Sequence, residues 1–286
     1  MHDIRPLIPL LITAGILIGG NGLQGTFIAL RGIEEGFSTS VIGMVGAGYF
    51  IGFVFGCVYI TKIMRAIGHI RAFSALAAIA SAASIMMVLV IDPISWFLMR
   101  LVQGVCFAGL FAVVESWLNA QPDPALRGRI FTVYMAVNLG ALALGQLLLG
   151  LGADGGFMLF SLVAILVCAS ALPVTLTRLA QPSIPPNARL GLRKLYAMAP
   201  AATLAAGISG LAMGAFWGLG PVYAGQLGFD RAGVSHFMVA TILGGALLQW
   251  PVGRLSDRVD RRIGLALACL AAAGVSVLAL FAGAWG

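Results

Sequence analysis

Long apolar runs separated by short polar gaps set the pattern of this chain. Nine runs approach or exceed the ~20 residues that a helix needs to cross a bilayer. They cover roughly 7–30, 41–61, 72–91, 94–117, 130–151, 157–177, 198–224, 234–252 and 263–284. A β-barrel is excluded, because its strands alternate apolar and polar residues over ~10 positions. The pattern therefore predicts an all-α membrane protein with about nine transmembrane helices. The first run, Leu7 to Leu30, exceeds the ~7–15 residues of a signal-peptide core and reads as an uncleaved span.

The gaps carry the polar information. The longest, 178–197, holds Pro182, Pro185, Pro186 and four basic residues. It predicts a six-helix N-terminal bundle over 1–177, a cytoplasmic linker over 178–197 and three helices of a second, partial bundle over 198–286. Fourteen Lys and Arg residues fall in the N-terminus and in the gaps after spans 2, 4, 6 and 8, against Arg31 and Arg231 in the opposite gaps. Positive charge concentrates on the cytoplasmic side. The expectation is a multi-pass protein of the cell (inner) membrane with a cytoplasmic N-terminus.

Composition agrees with this reading. The chain is 60% apolar and 9% charged, against about 45–50% and about 25% for a soluble domain. A soluble fold could not cover its surface with so few charges, and disorder needs low hydrophobicity. The net charge of +7 does not point to nucleic acid, since the basic residues sit in short gaps between spans. Cys57, Cys106, Cys168 and Cys269 lie inside apolar runs without metal-ligand spacing and read as packing residues.

A shift of 192 residues superposes parts of the chain. Gly36-Phe37 falls on Gly228-Phe229, Gly22 on Gly214, and Gly68-His69 on Asp260-Arg261. With matching span order, spans 7–9 read as a repeat of spans 1–3.

Several polar groups stand inside the spans. Arg100 lies some six residues, or ~9 Å, into span 4, at 1.5 Å per residue. Either its side chain snorkels outward, or it is a cavity cation that meets solute or aids proton coupling. Gln103 shares its face at i+3. In span 1, Gly20-Asn21-Gly22-Leu23-Gln24-Gly25 spells GxGxxG, but no strand precedes it, so a dinucleotide site is rejected. Its glycines suit close helix approach. Asn21 and Gln24 either bind solute or bond a neighbouring helix. Tyr134 and Asn138, one turn apart in span 5, and Trp217 in span 7 are further cavity candidates. Glu115 closes span 4 beside Trp117, read as interfacial, with Arg127 or Arg129 as ion-pair partner. Gly48, Gly52 and Gly56 in span 2, and Gly210, Gly214 and Gly218 in span 7, have small-xxx-small spacing for packing. In the gap after span 8, Gly253 can end a helix and Ser256 or Asp257 can cap the next. No catalytic constellation, cofactor motif or metal-ligand set is found, so no enzyme, cofactor or metal is expected.

The loop Gly253-Arg254-Leu255-Ser256-Asp257-Arg258-Val259-Asp260-Arg261-Arg262 resembles the G-x-L-x-D-R-x-x-R-R signature of the major facilitator superfamily (MFS), with Asp260 where the family usually has Gly. Arg100-x-x-Gln103-Gly104 resembles the family's R-x-x-Q-G motif. Glu115–Asn119, Arg127-Gly128-Arg129 and Gly140–Gly145 look like the YcaD-type group within it. Gly145-Gln146 replaces the Gly-Pro that ends the antiporter-type motif, and Arg65 stands opposite Asp257 in the first-half loop. The resemblance implies secondary active transport of a small organic solute by alternating access, with a proton as a further candidate partner. It assigns Gly253, Asp257, Arg258, Arg261 and Arg262 to a conformational-switch loop, and Asn21, Gln24, Arg100, Gln103 and Trp217 to the cavity. It also implies a C-terminally truncated bundle, completed by an oligomer or by further helices. The alternative expectation is a non-transporting scaffold or partner-binding subunit.

Overall fold

The computed structural model describes residues 5–120, 123–152, 157–177, 181–182, 192–259 and 261–283. Among them every regular element is helical. The long helices are α1 (Ile8–Glu34), α2 (Thr39–Ile67), α3 (His69–Leu89), α4 (Pro93–Asn119) and α5 (Pro124–Leu147), followed by α6 (Phe157–Ala169) and the short α7 (Ala171–Thr175). A short α8 (Leu192–Met198) precedes α9 (Pro200–Gln226), α10 (Arg231–Arg258) and α11 (Arg261–Gly283). Eight of these segments are long and apolar enough to span a membrane, with α6 and α7 together forming one and α11 carrying a shorter apolar stretch. Capping residues start α2, α4 and α5 ahead of their apolar runs, in the polar layer. Ser38 accepts from the Val41 N–H at 3.4 Å and Asp92 from Ser95 at 2.9 Å. Asp123 accepts from Ala125 at 3.0 Å. Each side chain satisfies a donor left free at a helix start.

The 192-residue repeat is visible in the backbone. Shifted by that amount, the bounds of α1 coincide with those of α9, and α2 and α3 fall on α10 and α11 to within two residues. The turns match as well. Gly36 and Gly228 both have positive φ, 77° and 86°. Phe37 N–H donates to the Gly32 carbonyl at 2.9 Å, and Phe229 N–H to the Ala224 carbonyl at 3.3 Å. Gly36 and Gly228 donate to Ile33 and Gly225, each at 3.0 Å. This is the same Schellman closure twice, and it needs a left-handed residue, hence glycine. Asp230 then caps α10 through the Gly233 N–H at 2.8 Å, in the place of Ser38.

The described chain forms two compact units, Met1–Val239 and Ala240–Gly286. In the first, α2 and α4 are the most closely apposed pair, and glycine is the reason. A Cβ on Gly52 would lie 2.0 Å from the Leu101 carbonyl, and one on Gly104 would lie 2.0 Å from the Tyr49 carbonyl. Gly48 and Gly56 meet Phe97 and Val105 of α4 at 2.8 and 2.7 Å in the same test. Gly145 similarly faces the Gly19 carbonyl where α5 crosses α1, at 2.2 Å. Edge-to-face rings fill the end of the core where α1 leaves and α2 enters. Phe27 meets Phe160 at 4.8 Å, and Trp96 joins Phe160 to Phe37.

Four expectations are corrected. Gly210 and Gly218 have open space where a Cβ would project, while a Cβ on Gly214 would meet Phe50 at 3.7 Å and one on Gly46 would meet the Gly218 Cα at 3.6 Å, so the span-7 stripe packs more loosely than the span-2 stripe. Trp117 is buried against His69, with ring centroids 5.2 Å apart, and is not interfacial. Gly253 does not end a helix, because α10 runs on through Arg258. For the same reason Ser256 and Asp257 lie within α10 and not at the start of α11.

Candidate functional site

A cavity of about 420 Å³ lies inside the first unit, bounded by α1, α2, α4, α5 and α9. Ile18, Asn21 and Gly25 line it from α1, and Tyr49 and Phe50 from α2. Arg100, Phe111 and Glu115 line it from α4, Tyr134 and Asn138 from α5, and Met213 and Trp217 from α9. The wall is thus largely apolar and aromatic, with a few convergent polar groups, the composition usual for a small-molecule pocket.

Arg100 does not snorkel. Only 6% of it is exposed. Its guanidinium stacks over the Tyr49 ring at 4.4 Å, a cation–π contact. Nη1 donates to Gln103 Oε1 at 3.2 Å, while Nε is buried with no hydrogen-bond partner. Helix geometry explains the pair, since i and i+3 share a face. Behind it a polar chain crosses three helices. Gln103 Nε2 and Gln24 Nε2 both donate to Ser84 Oγ, each at 3.0 Å, and Ser84 donates to the Ala80 carbonyl at 3.2 Å. Each element of Arg100-x-x-Gln103-Gly104 therefore has a physical task. Arginine lines the cavity, glutamine orients it, and glycine lets α2 approach closely enough to bring Tyr49.

Five expected residues meet at the cavity: Asn21, Arg100, Tyr134, Asn138 and Trp217. Gln24 and Gln103 are fully buried behind the wall and bond neighbouring helices. The GxGxxG run divides its labour likewise. Gly20 faces Leu166, Gly22 meets Leu142 at the cavity wall, and Gly25 opens onto the cavity. The backbone of Gly253, Asp257 and Arg258 lies in the last turns of α10, and that of Arg261 and Arg262 opens α11. The side chains of Asp257, Arg258, Arg261 and Arg262 lie outside the described residues.

Two cavity groups were not expected there. Tyr49 sits in an apolar run without a polar neighbour to flag it. From the sequence Glu115 reads as the ion-pair partner of Arg127 or Arg129. Its carboxylate instead accepts from the Tyr134 hydroxyl at 3.3 Å and faces the cavity.

A second cluster closes the end of the unit where α1 meets α2 and α9 meets α10. Arg231 Nε donates to Glu34 Oε1 at 3.2 Å, and Gln226 Nε2 to Thr39 Oγ1 at 3.4 Å. Under the 192-residue shift, Glu34 and Thr39 become Gln226 and Arg231, so each contact is the image of the other. Arg31 pairs with Glu35 and lies 3.5 Å from Glu34, and Arg231 also bonds the Gly152 carbonyl.

The comparisons with known proteins agree with this architecture. The family model of the Major Facilitator Superfamily matches residues 10–286. An uncharacterized MFS-type transporter of Enterobacter sp. (strain 638) is 28% identical over 96% of this chain and 74% of its own length. The uncharacterized MFS-type transporter YcaD of Escherichia coli is 29% identical over 90% of this chain and 68% of its own. Among solved structures, the nucleoside transporter NupG superposes with a TM-score of 0.74 at 14% identity, covering 88% of this chain and 68% of that one. A bacterial homologue of the human lysosomal transporter Spinster gives 0.71 at 14% identity, covering 90% and 63%. With the family model spanning nearly every residue and the helical fold shared, this chain is a multi-pass membrane protein that belongs to the Major Facilitator Superfamily.

Proposed function

We propose that the chain is a secondary active transporter that moves a small organic solute by alternating access. The observation that carries this reading is the cavity itself. It holds one buried cation, Arg100, with amides, phenols and an indole converging on the same space. A charged group within a membrane span is costly, about 2.5–3.5 kcal/mol on insertion scales. It is retained where it meets water, solute or a partner.

The conformational side of the proposal uses the repeat. Residues 1–177 and 198–286 act as the two bundles and 178–197 as their cytoplasmic linker. The charge bias of fourteen to two supports a cytoplasmic N-terminus in the inner membrane. The cluster around Glu34 and Arg231 then lies on the outer face. It closes the cavity from outside, while the exposed Glu115 marks its cytoplasmic end. Opening alternates by rocking of the repeats, with Gly253, Asp257, Arg258, Arg261 and Arg262 as the inner switch. The Glu115–Tyr134 pair is the place for a coupling proton.

Uptake into proteoliposomes tests the reading. The purified chain admits at least one of labelled benzoate, uridine, leucine and glucose faster than protein-free vesicles do. Arg100→Ala abolishes that uptake while expressing normally. Unchanged uptake in the variant contradicts the cavity assignment.

A further inference from the structure

We infer that the cavity selects an organic monoanion, a carboxylate or similar acid on an apolar, aromatic-compatible body, and that Arg100 is the group that reads its charge. The inference deepens the transporter reading and rests on it only for calling the bound anion a cargo.

Three observations carry it. The first is charge balance. Among the described residues that line the cavity Arg100 is the one cation, and none of the described residues offers it a carboxylate within ion-pair distance. The one acid among the described lining residues, Glu115, is fifteen residues further along the same helix, or ~22 Å at 1.5 Å per residue. Arg100 as a residue is only 6% exposed, and the neighbours of its guanidinium are neutral: the Tyr49 ring and the Gln103 amide. A buried cation without a counter-ion is costly, and an anionic ligand relieves that cost.

The second is donor geometry. Gln103 occupies Nη1 from behind and is itself fixed by Ser84, whose oxygen also anchors Gln24. Gln103 thereby orients the guanidinium, and Nε is fully buried with no hydrogen-bond partner, so the protein satisfies the cation incompletely. Arginine's planar fork matches a carboxylate's two oxygens, and pre-orienting it reduces the entropy lost on binding. The Asn21 amide lines the same space.

The third is the apolar part of the wall. Phe50, Phe111, Met213 and Trp217 are apolar or aromatic, which suits the body of an amphipathic acid. A cation meets Arg100 head on.

The probes are three bodies of one shape: 1-naphthoate, 1-naphthamide and 1-naphthylmethylamine. Tritiated forms are titrated against the full chain in nanodiscs, with empty nanodiscs as the partition control. Naphthoate is expected to bind at least about tenfold more tightly than either other probe, the ratio that 1.4 kcal/mol of charge-assisted bonding supplies. Arg100→Gln, checked for an unchanged unfolding temperature, erases the preference, and Arg100→Lys retains part of it. The wild-type ratios need no variant, so a misfolded mutant does not block the test. Equal binding of the three, or preference for the amine or the amide, overturns the anion assignment. If the preferred probe is nevertheless carried into proteoliposomes, the transporter reading stands without it. If naphthoate is preferred but never carried, the anion site stands and the transporter reading falls.

Discussion

Ser84 bears no charge, yet two buried amides converge on its oxygen. Gln24 and Gln103 both donate to it, and Gln103 in turn fixes the Arg100 guanidinium. Ser84→Ala leaves both amides without that acceptor, at about 1–3 kcal/mol for a buried unsatisfied group. A lower unfolding temperature in detergent, with weaker binding of naphthoate, is the expected outcome, and unchanged values for both contradict a positioning role. Arg100 and Gln103 were legible in the sequence because a charge and an amide at i,i+3 stand out in an apolar span. Ser84 was not, since a serine in an alanine-rich helix carries no spacing signal toward residues 60 and 19 positions away. Glu115 was misplaced for a related reason. Its position at a helix end beside basic residues suggested a surface ion pair, and only tertiary packing brings Tyr134 to it.

Helices follow from apolar length and capping, so their existence and order were legible. Which helices touch depends on partners the sequence does not name. The two small-residue stripes make the point. Gly48, Gly52 and Gly56 are pressed against α4, whereas Gly210 and Gly218, with the same spacing, meet no neighbour at Cβ distance. The predicted effects differ accordingly. Gly52→Ala and Gly104→Ala place a methyl about 2.0 Å from a backbone carbonyl, so α2 and α4 must separate. Overpacking of this kind costs about 1–3 kcal/mol or more. Both variants are expected to lose folded protein in size-exclusion profiles. Gly140→Ala, with nothing within 4 Å, is expected to be neutral. Equal behaviour of all three contradicts the α2–α4 contact.

At the scale of the molecule, the 192-residue repeat was legible from a few glycines, and the structure extends it to helix bounds, turns and caps. The image-related contacts Glu34–Arg231 and Thr39–Gln226 were not, because they arise only when the repeats face one another. Exposed ion pairs are worth about 0–1 kcal/mol, so Arg231→Gln is expected to change stability little and to shift the balance between closed and open outer ends. Spin labels at Ser40→Cys and Ala232→Cys, equivalent exposed positions on either side of this seam, report that balance. Pulsed EPR is expected to give two distances, the longer one enriched by Arg231→Gln. A single distance unaffected by the substitution contradicts a gating role for the seam.

The central claim is that one cavity serves both sides of the membrane, and accessibility at its wall tests that most directly. With Cys57, Cys106, Cys168 and Cys269 replaced by alanine, Asn21→Cys puts the only thiol in the cavity. A membrane-impermeant maleimide is applied to right-side-out and to inside-out vesicles. The account predicts labelling in both, with 1-naphthoate slowing the reaction. Labelling from one side alone, however long the exposure, contradicts alternating access in this chain.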